Sequence, residues 1–177
     1  MLEALITSKT RIKLLLKFFL NSRNTGYLRS LETEFGESTN AIRYELNKFT
    51  RSGLLITKKV DNKKIYQANT DHPLFPVINR IIKKYLGIDE IVDRVIAKTG
   101  HLEAVYLIGD LAKGVDSHEI EIWMIGRQIE ENYLKNLINK TENIINRKIK
   151  YLIFAKPDMI QNAPELNNGG SLLLWKR

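Results

Sequence analysis

The chain has 177 residues, room for two modules of roughly 80–90 residues each, and its 44% hydrophobic and 27% charged content is ordinary for a globular protein. It contains no cysteine, which excludes disulfides, thiolate zinc sites and thiol-based redox or metal sensing. The net charge of +8 is unevenly placed: residues 1–86 hold 16 Lys and Arg against 7 Asp and Glu, residues 87–177 hold 12 against 13. Such asymmetry points to a polyanion-binding module beside a neutral one.

The opening run to Leu20 is apolar but interrupted by Lys9, Arg11, Lys13 and Lys17, unlike a secretion signal. No later stretch approaches the ~18 uninterrupted apolar residues of a membrane span, so a soluble, cytoplasmic protein with no membrane partner is expected. Ser8 is placed to cap a helix running to about Asn21, with Ile12, Leu15, Leu16, Phe19 and Leu20 at helical spacing. Asn21 to Gly26 reads as a loop. A short helix from about Tyr27 to Phe35 follows, with Leu28 and Leu31 inward, and Gly36 breaks it. Ser38 caps a third helix through about Arg51, ended by Gly53. Leu54 to Val60 and Lys64 to Asn69 read as strands of a hairpin turning at Asp61-Asn62.

On a helical wheel the third helix places Ile42, Leu46 and Phe49 on one side. Asn40, Arg43, Tyr44, Asn47 and Arg51 fall on or near the other, with Glu45 toward the buried side. A helix fits the major groove of B-DNA, where Asn pairs with adenine and Arg with guanine edges. Ser38, Thr39 and Asn40 at its start suit phosphate contact through a helix N-terminus. The hairpin adds Lys58, Lys59, Lys63 and Lys64, which suit phosphates without reading bases, and Lys9 and Arg29 are further candidates. Any single lysine is better read as a solvated charge; it is the confinement of the excess to one module that favours DNA.

Tyr27-Leu-Arg-Ser-Leu, Phe35-Gly-Glu-Ser-Thr-Asn-Ala-Ile-Arg43, Leu46 and Gly53-Leu-Leu55 together resemble the ArsR-like winged-helix regulators over about residues 5–70. The resemblance implies a winged helix-turn-helix, regulation of transcription and double-stranded DNA as partner. Metal sensing through cysteine, known in that family, does not carry over to this cysteine-free chain.

His72 to Pro76 reads as a linker-like break. Two helical patterns follow, Val77 to Leu86 and Ile88 to Thr99, divided by Gly87; Ile78, Ile81, Ile82 and Leu86 form an apolar stripe suited to a dimer or domain bridge. Val105 to Ile108, Glu119 to Ile125 and Lys150 to Phe154 read as strands, and Glu130 to Arg147 as a long amphipathic helix. Asn167 to Gly170, followed by Ser-Leu-Leu-Leu-Trp, suggests an added edge strand. His72, His101 and His118 lack ligand-type spacing, and Trp123 and Trp175 are assigned to core or interface.

The segment Gly109-Asp-Leu-Ala-Lys-Gly114, then Ser117-His-Glu-Ile-Glu-Ile122, resembles the signature of minimal polymerase-β-like nucleotidyltransferases, in which a glycine-serine turn holds phosphate and two aspartates on the next strand hold metal. Here Asp110 replaces the serine, Glu119 and Glu121 replace the aspartates, the spacing from Gly114 is shorter, and no third carboxylate appears near Lys150 to Phe154. Two-metal chemistry tolerates such displacement poorly. The resemblance therefore implies a fold that outlives its transfer activity: no enzyme, no metal, no resident cofactor, and a half-exposed strand face at Glu119 and Glu121. Gly109, Asp110, Lys113, Gly114, Glu119 and Glu121 remain candidates for a nucleotide or sugar-nucleotide effector, with Lys113 toward phosphate.

The expected architecture is α+β: a winged helix over 1–71, a helical linker or dimerisation segment over 72–100, and a degenerate nucleotidyltransferase-like α/β domain with a small mixed sheet over 101–177. The expected function is a homodimeric DNA-binding regulator. The alternatives are a metal-dependent nucleotidyltransferase guided by its winged helix, and a scaffold binding RNA or an acidic protein.

Overall fold

The computed structural model describes residues 2–96, 102–155 and 170–177. The chain forms two compact units: Met1–Tyr85 with Gly114–Asp116, and Leu86–Lys113 with Ser117–Arg177.

In the first unit, α1 (Leu2–Leu5) precedes α2 (Lys9–Leu15), which continues through a π-helical turn, Leu16–Leu20. Ser8 caps α2, its hydroxyl accepting the Arg11 amide at 3.2 Å. A widened turn frees carbonyls that need other donors. Side-chain amides supply them: Asn24 donates to Lys17 O at 3.0 Å, and Asn79 to Phe19 O at 2.6 Å and Leu20 O at 3.2 Å. The expected loop at 21–26 contains a short strand, β1 (Thr25–Tyr27), which pairs with β3. Three residues carry too little alternation to betray a strand, and this one exists because β3 offers it an edge.

Next come α3 (Leu28–Phe35) and α4 (Thr39–Arg51). Between them Gly36, at φ +62°, adopts the left-handed conformation that closes α3 and turns the chain toward α4. Strands β2 (Leu55–Val60) and β3 (Lys63–Ala68) follow. Asp61 and Asn62 join them with φ of 46° and 61°, the positive pair of a two-residue hairpin turn whose twist matches that of its strands. The resulting antiparallel sheet has the order β1-β3-β2.

The core beneath is apolar and close. Phe18, Phe19, Leu31, Ile42 and Leu46 are inaccessible to solvent. The Phe19 ring meets Phe49 edge-on at 6.3 Å and Phe75 at 5.8 Å. Helix, short strand, helix, turn, helix and hairpin make this unit a winged helix.

Helix α5 (Phe75–Leu86) begins two residues before the expected Val77, and the 72–100 segment divides between the units at Tyr85. The expected stripe also divides. Ile82 and Leu86 are buried and Ile78 half-buried, but Ile81 is 48% exposed. Neighbouring helical residues point about 100° apart, so Ile81 and Ile82 cannot share the centre of one face. Ile81 instead joins Leu74 and Val77, exposed to 52% and 53%, in a second apolar row.

The second unit starts with α6 (Ile88–Ile91) and a π-helical turn, Val92–Ile96. The expected helix end at Thr99, His101 and the turn residues 167–169 lie outside the described residues. Strand β4 (Leu102–Ile108), the single turn α7 (Gly109–Ala112), β5 (Glu119–Gly126), α8 (Glu131–Ile145), β6 (Lys148–Phe154) and β7 (Leu172–Lys176) complete it. The sheet order is β6-β5-β4-β7. β5 and β6 are parallel, which requires a crossover, and α8 is that crossover; the other pairs are antiparallel. β7 is the edge strand expected from the tail. Ile120, Ile122 and Met124 are buried on the inner face of β5, and Leu134, Leu137 and Ile138 on the inner side of α8. The fold is α+β with a small mixed sheet.

Candidate nucleic-acid interface and ligand cleft

The outer face of α4 is formed by Asn40, Arg43, Tyr44, Asn47, Lys48 and Arg51, all exposed. Every charge on it is positive. The single carboxylate of the helix, Glu45, is buried on the inner side, where Arg11 holds it through two hydrogen bonds, Nε to Oε2 at 2.9 Å and an Nη to Oε1 at 3.0 Å. The Ser8 hydroxyl adds a third at 3.2 Å. Burial raises the Glu45 pKa, but the Arg11 hydrogen bonds and charge and the Ser8 bond outweigh it, leaving the carboxyl below its ordinary value. Glu45 thus tethers α4 to α2 and keeps negative charge off the outer face.

Two lysines of the basic half are similarly spent inside the unit. Lys13 donates to Glu37 at 2.8 Å and to the Phe35 carbonyl at 2.7 Å, and Lys17 reaches both oxygens of Glu34 at 2.8 Å. Lys13 holds the Glu37 carboxyl below its usual range. These pairs cancel acidic charge around α3, and the surplus is left to other groups, among them the exposed side chains of α4, the hairpin and α5.

The hairpin lysines Lys58, Lys59, Lys63 and Lys64 are all exposed, as are Lys9 and Arg29. Lys59 and Lys64 are direct partners across the ladder, a like-charged pair that costs stability unless an anion lies nearby. Lys63 stands 4.8 Å from the Tyr27 ring and Lys64 5.2 Å from Tyr66. At the start of α4 the Ser38 hydroxyl accepts the Ala41 amide at 3.2 Å, so it acts first as helix cap; Thr39 is half-buried. Lys48, 4.5 Å from the Tyr44 ring, was not among the residues singled out from sequence. It lies one turn after Tyr44, and the same wheel would have found it.

In the second unit the candidate residues separate. Gly109 has φ +69° and is pressed by Glu121: a Cβ on it would sit 2.5 Å from the carboxylate oxygen. Asp110 on α7 and Lys113 at its C-terminal cap are exposed, whereas Gly114 is grouped with the first unit. Glu119, Glu121 and Trp123 alternate along one face of β5. Glu119 is taken by Lys150, which donates at 2.6 Å and whose own pKa rises through that bond and the Glu119 charge. A cleft of about 250 Å³ opens beside them, lined by Ile108, Glu121, Trp123, Lys150 and Leu152 among others. No cluster of three metal-ligating side chains occurs among the described residues, and no helix there is long and apolar enough to cross a membrane.

No family model and no curated relative matches this chain. Among solved structures, it is similar to a protein described as a candidate nucleotidyltransferase from Sulfolobus solfataricus, at 21% identity over 54% of this chain and 83% of the other, TM-score 0.38. It is also similar to a predicted DNA-binding transcriptional regulator from E. coli, at 17% identity, 49% and 84% coverage and TM-score 0.37. A third is reduced HlyU from Vibrio cholerae, at 18% identity, 55% and 86% coverage and TM-score 0.35. Each spans about half of this chain. Likenesses this distant do not reach function, which has to be argued from the side chains.

Proposed function

We propose that the chain is a DNA-binding transcriptional regulator, reading duplex DNA through α4 and gripping phosphates with the lysine-bearing hairpin. The observation that carries this is the outer face of α4. Six exposed polar or basic side chains line it, Arg43 and Asn47 among them, while its only carboxylate is tethered inside by Arg11. Arg and Asn are the side chains that pair bidentately with guanine and adenine in the major groove. The hairpin brings four lysines to the same unit, two of them facing each other at a cost that a polyanion would relieve.

The regulator works as a homodimer in the cytoplasm, since helix-turn-helix proteins commonly read paired half-sites. The exposed row Leu74, Val77 and Ile81 supports that assembly. The second unit serves ligand sensing rather than catalysis. Lys150 occupies Glu119, and Glu121 lies against Gly109 where a phosphate would have to approach. These contacts disfavour the alternative, a metal-dependent nucleotidyltransferase.

The test is selection of duplexes from a random library by the full chain, followed by gel-shift titration. An enriched motif is expected, with Arg43→Ala plus Asn47→Ala erasing the preference for it over a scrambled duplex while salt-sensitive background binding remains. Each bidentate pair is worth about 1–3 kcal/mol of discrimination. Absence of any enriched duplex, or a preference unchanged in the double variant, removes the reading.

A further inference from the structure

We infer that the cleft on the outer face of the second sheet binds a small organic cation with a flat apolar body, an aromatic amine or quaternary ammonium. This rests on the sensing role proposed above and names the chemistry of what is sensed.

Strand alternation puts Glu121 and Trp123 side by side on the same face of β5, roughly 7 Å apart along the strand at about 3.3 Å per residue. A cation held within about 6 Å of the indole therefore also lies within reach of the carboxylate. Trp123 is half-exposed and braced by Phe154, whose ring centre is 5.0 Å away. Ile108 and Leu152 complete an apolar wall around a volume of about 250 Å³, the size of a small single-ring ligand rather than a dinucleotide.

The charge of the cleft decides the sign of the ligand. Lys150, which lines the cleft, donates to Glu119 at 2.6 Å and is also attracted by Glu121, its partner across the β5–β6 ladder. The Glu121 carboxylate accepts no hydrogen bond among the described residues, and Glu119, Glu121 and Lys150 together carry one net negative charge. That carboxylate also covers Gly109, and Asp110 stands exposed on the next residue. A phosphate would meet two carboxylates at this turn. An ammonium beside an indole meets one favourable charge and one favourable quadrupole.

The experiment uses the full chain carrying Trp175→Phe, which leaves Trp123 as its one indole. Benzyltrimethylammonium, benzyl alcohol, ATP and UDP-glucose are titrated in turn, with tryptophan fluorescence and calorimetry as readouts. Saturable quenching by benzyltrimethylammonium alone is expected. Glu121→Gln should weaken it about three- to tenfold, the range of a partly exposed charge pair, and Trp123→Leu should abolish the calorimetric signal. Equal binding of the neutral alcohol, stronger binding of ATP or UDP-glucose, or no saturation by the cation overturns the inference. The comparison of cation with alcohol on the unaltered cleft needs no folded Glu121 variant. Duplex binding of the same preparation, measured by anisotropy, separates the two proposals: intact duplex binding without cation binding refutes only the cleft.

Discussion

Replacing Lys59 by Gln should weaken DNA binding and stabilise the protein, two effects of opposite sign. Lys59 faces Lys64 directly across the hairpin ladder, and like charges in that position are destabilising. Lys64 also stands 5.2 Å from the Tyr66 ring, whereas the hairpin ring contacts are made by Lys63 and Lys64 and none by Lys59. Removing Lys59 therefore relieves the repulsion without losing a ring contact, and the melting temperature should rise by about 1–8 °C for a unit of this size. Each phosphate contact contributes about 0.9 to the slope of log K against log salt. One contact fewer means that, for a fourfold rise in salt, the variant should lose about 3.5-fold less affinity than the parent. Anisotropy titrations on a labelled duplex at 50 and 200 mM salt measure the slope, and thermal melts measure stability. An unchanged slope would show that Lys59 touches no phosphate. A fall in melting temperature together with binding would show that the hairpin had been damaged, and the argument from the lysine pair would be wrong.

Other perturbations have equally definite outcomes. Glu45→Gln should destabilise the first unit by about 1–3 kcal/mol, because a buried carboxylate that accepts from Arg11 and Ser8 is lost. Since the folded Glu45 pKa lies below its ordinary value of 4.5, its stabilisation is complete above that value and is lost as pH falls through the folded value. Denaturant melts between pH 7 and pH 3 should thus show a flatter acid decline in Glu45→Gln than in the parent, in which Glu37 contributes in the same direction. Gly109→Ala should destabilise the second unit by about 1–2 kcal/mol, because φ is +69° and the new Cβ would lie 2.5 Å from Glu121. Hydrogen exchange should show the loss in β4 and β5, with duplex affinity unchanged. Ile81→Glu, which charges the exposed row on α5, should convert a dimer to monomer in sedimentation equilibrium; a parent that is monomeric at the highest concentrations reached contradicts the homodimer.

The winged helix was legible because its determinants are local. Ser8 and Ser38 cap their helices with the hydroxyls that a capping pattern requires, and Gly36 and Asp61-Asn62 adopt the positive φ that a helix stop and a two-residue hairpin demand. The inner and outer sides of α4 follow from a 100° step alone. What escaped was tertiary. β1 has no pattern of its own and depends on β3 for its hydrogen bonds, and the π-helical turn after Leu15 persists because Asn24 and Asn79, from separate parts of the chain, satisfy its carbonyls. The charge count was sound as a sum yet silent about placement. Lys13 and Lys17 belong to the basic half but face Glu37 and Glu34, and it is the buried Arg11–Glu45 pair that leaves the outer face of α4 without a negative charge.

The second unit shows the same limit at a site. Alternation of Glu119 and Glu121 on one strand face could be read directly, and it invites a metal between two carboxylates. The register of β6 against β5 changes that chemistry. It sets Lys150 opposite Glu121, from where the long side chain reaches Glu119. That register is a product of the α8 crossover and has no counterpart in the spacing of residues 109–122. One carboxylate is hydrogen-bonded to an internal ammonium, and the other shares its strand face with the Trp123 indole. A divalent ion would have to displace Lys150 before both glutamates could hold it, whereas a monovalent organic cation needs only Glu121, which accepts no hydrogen bond among the described residues.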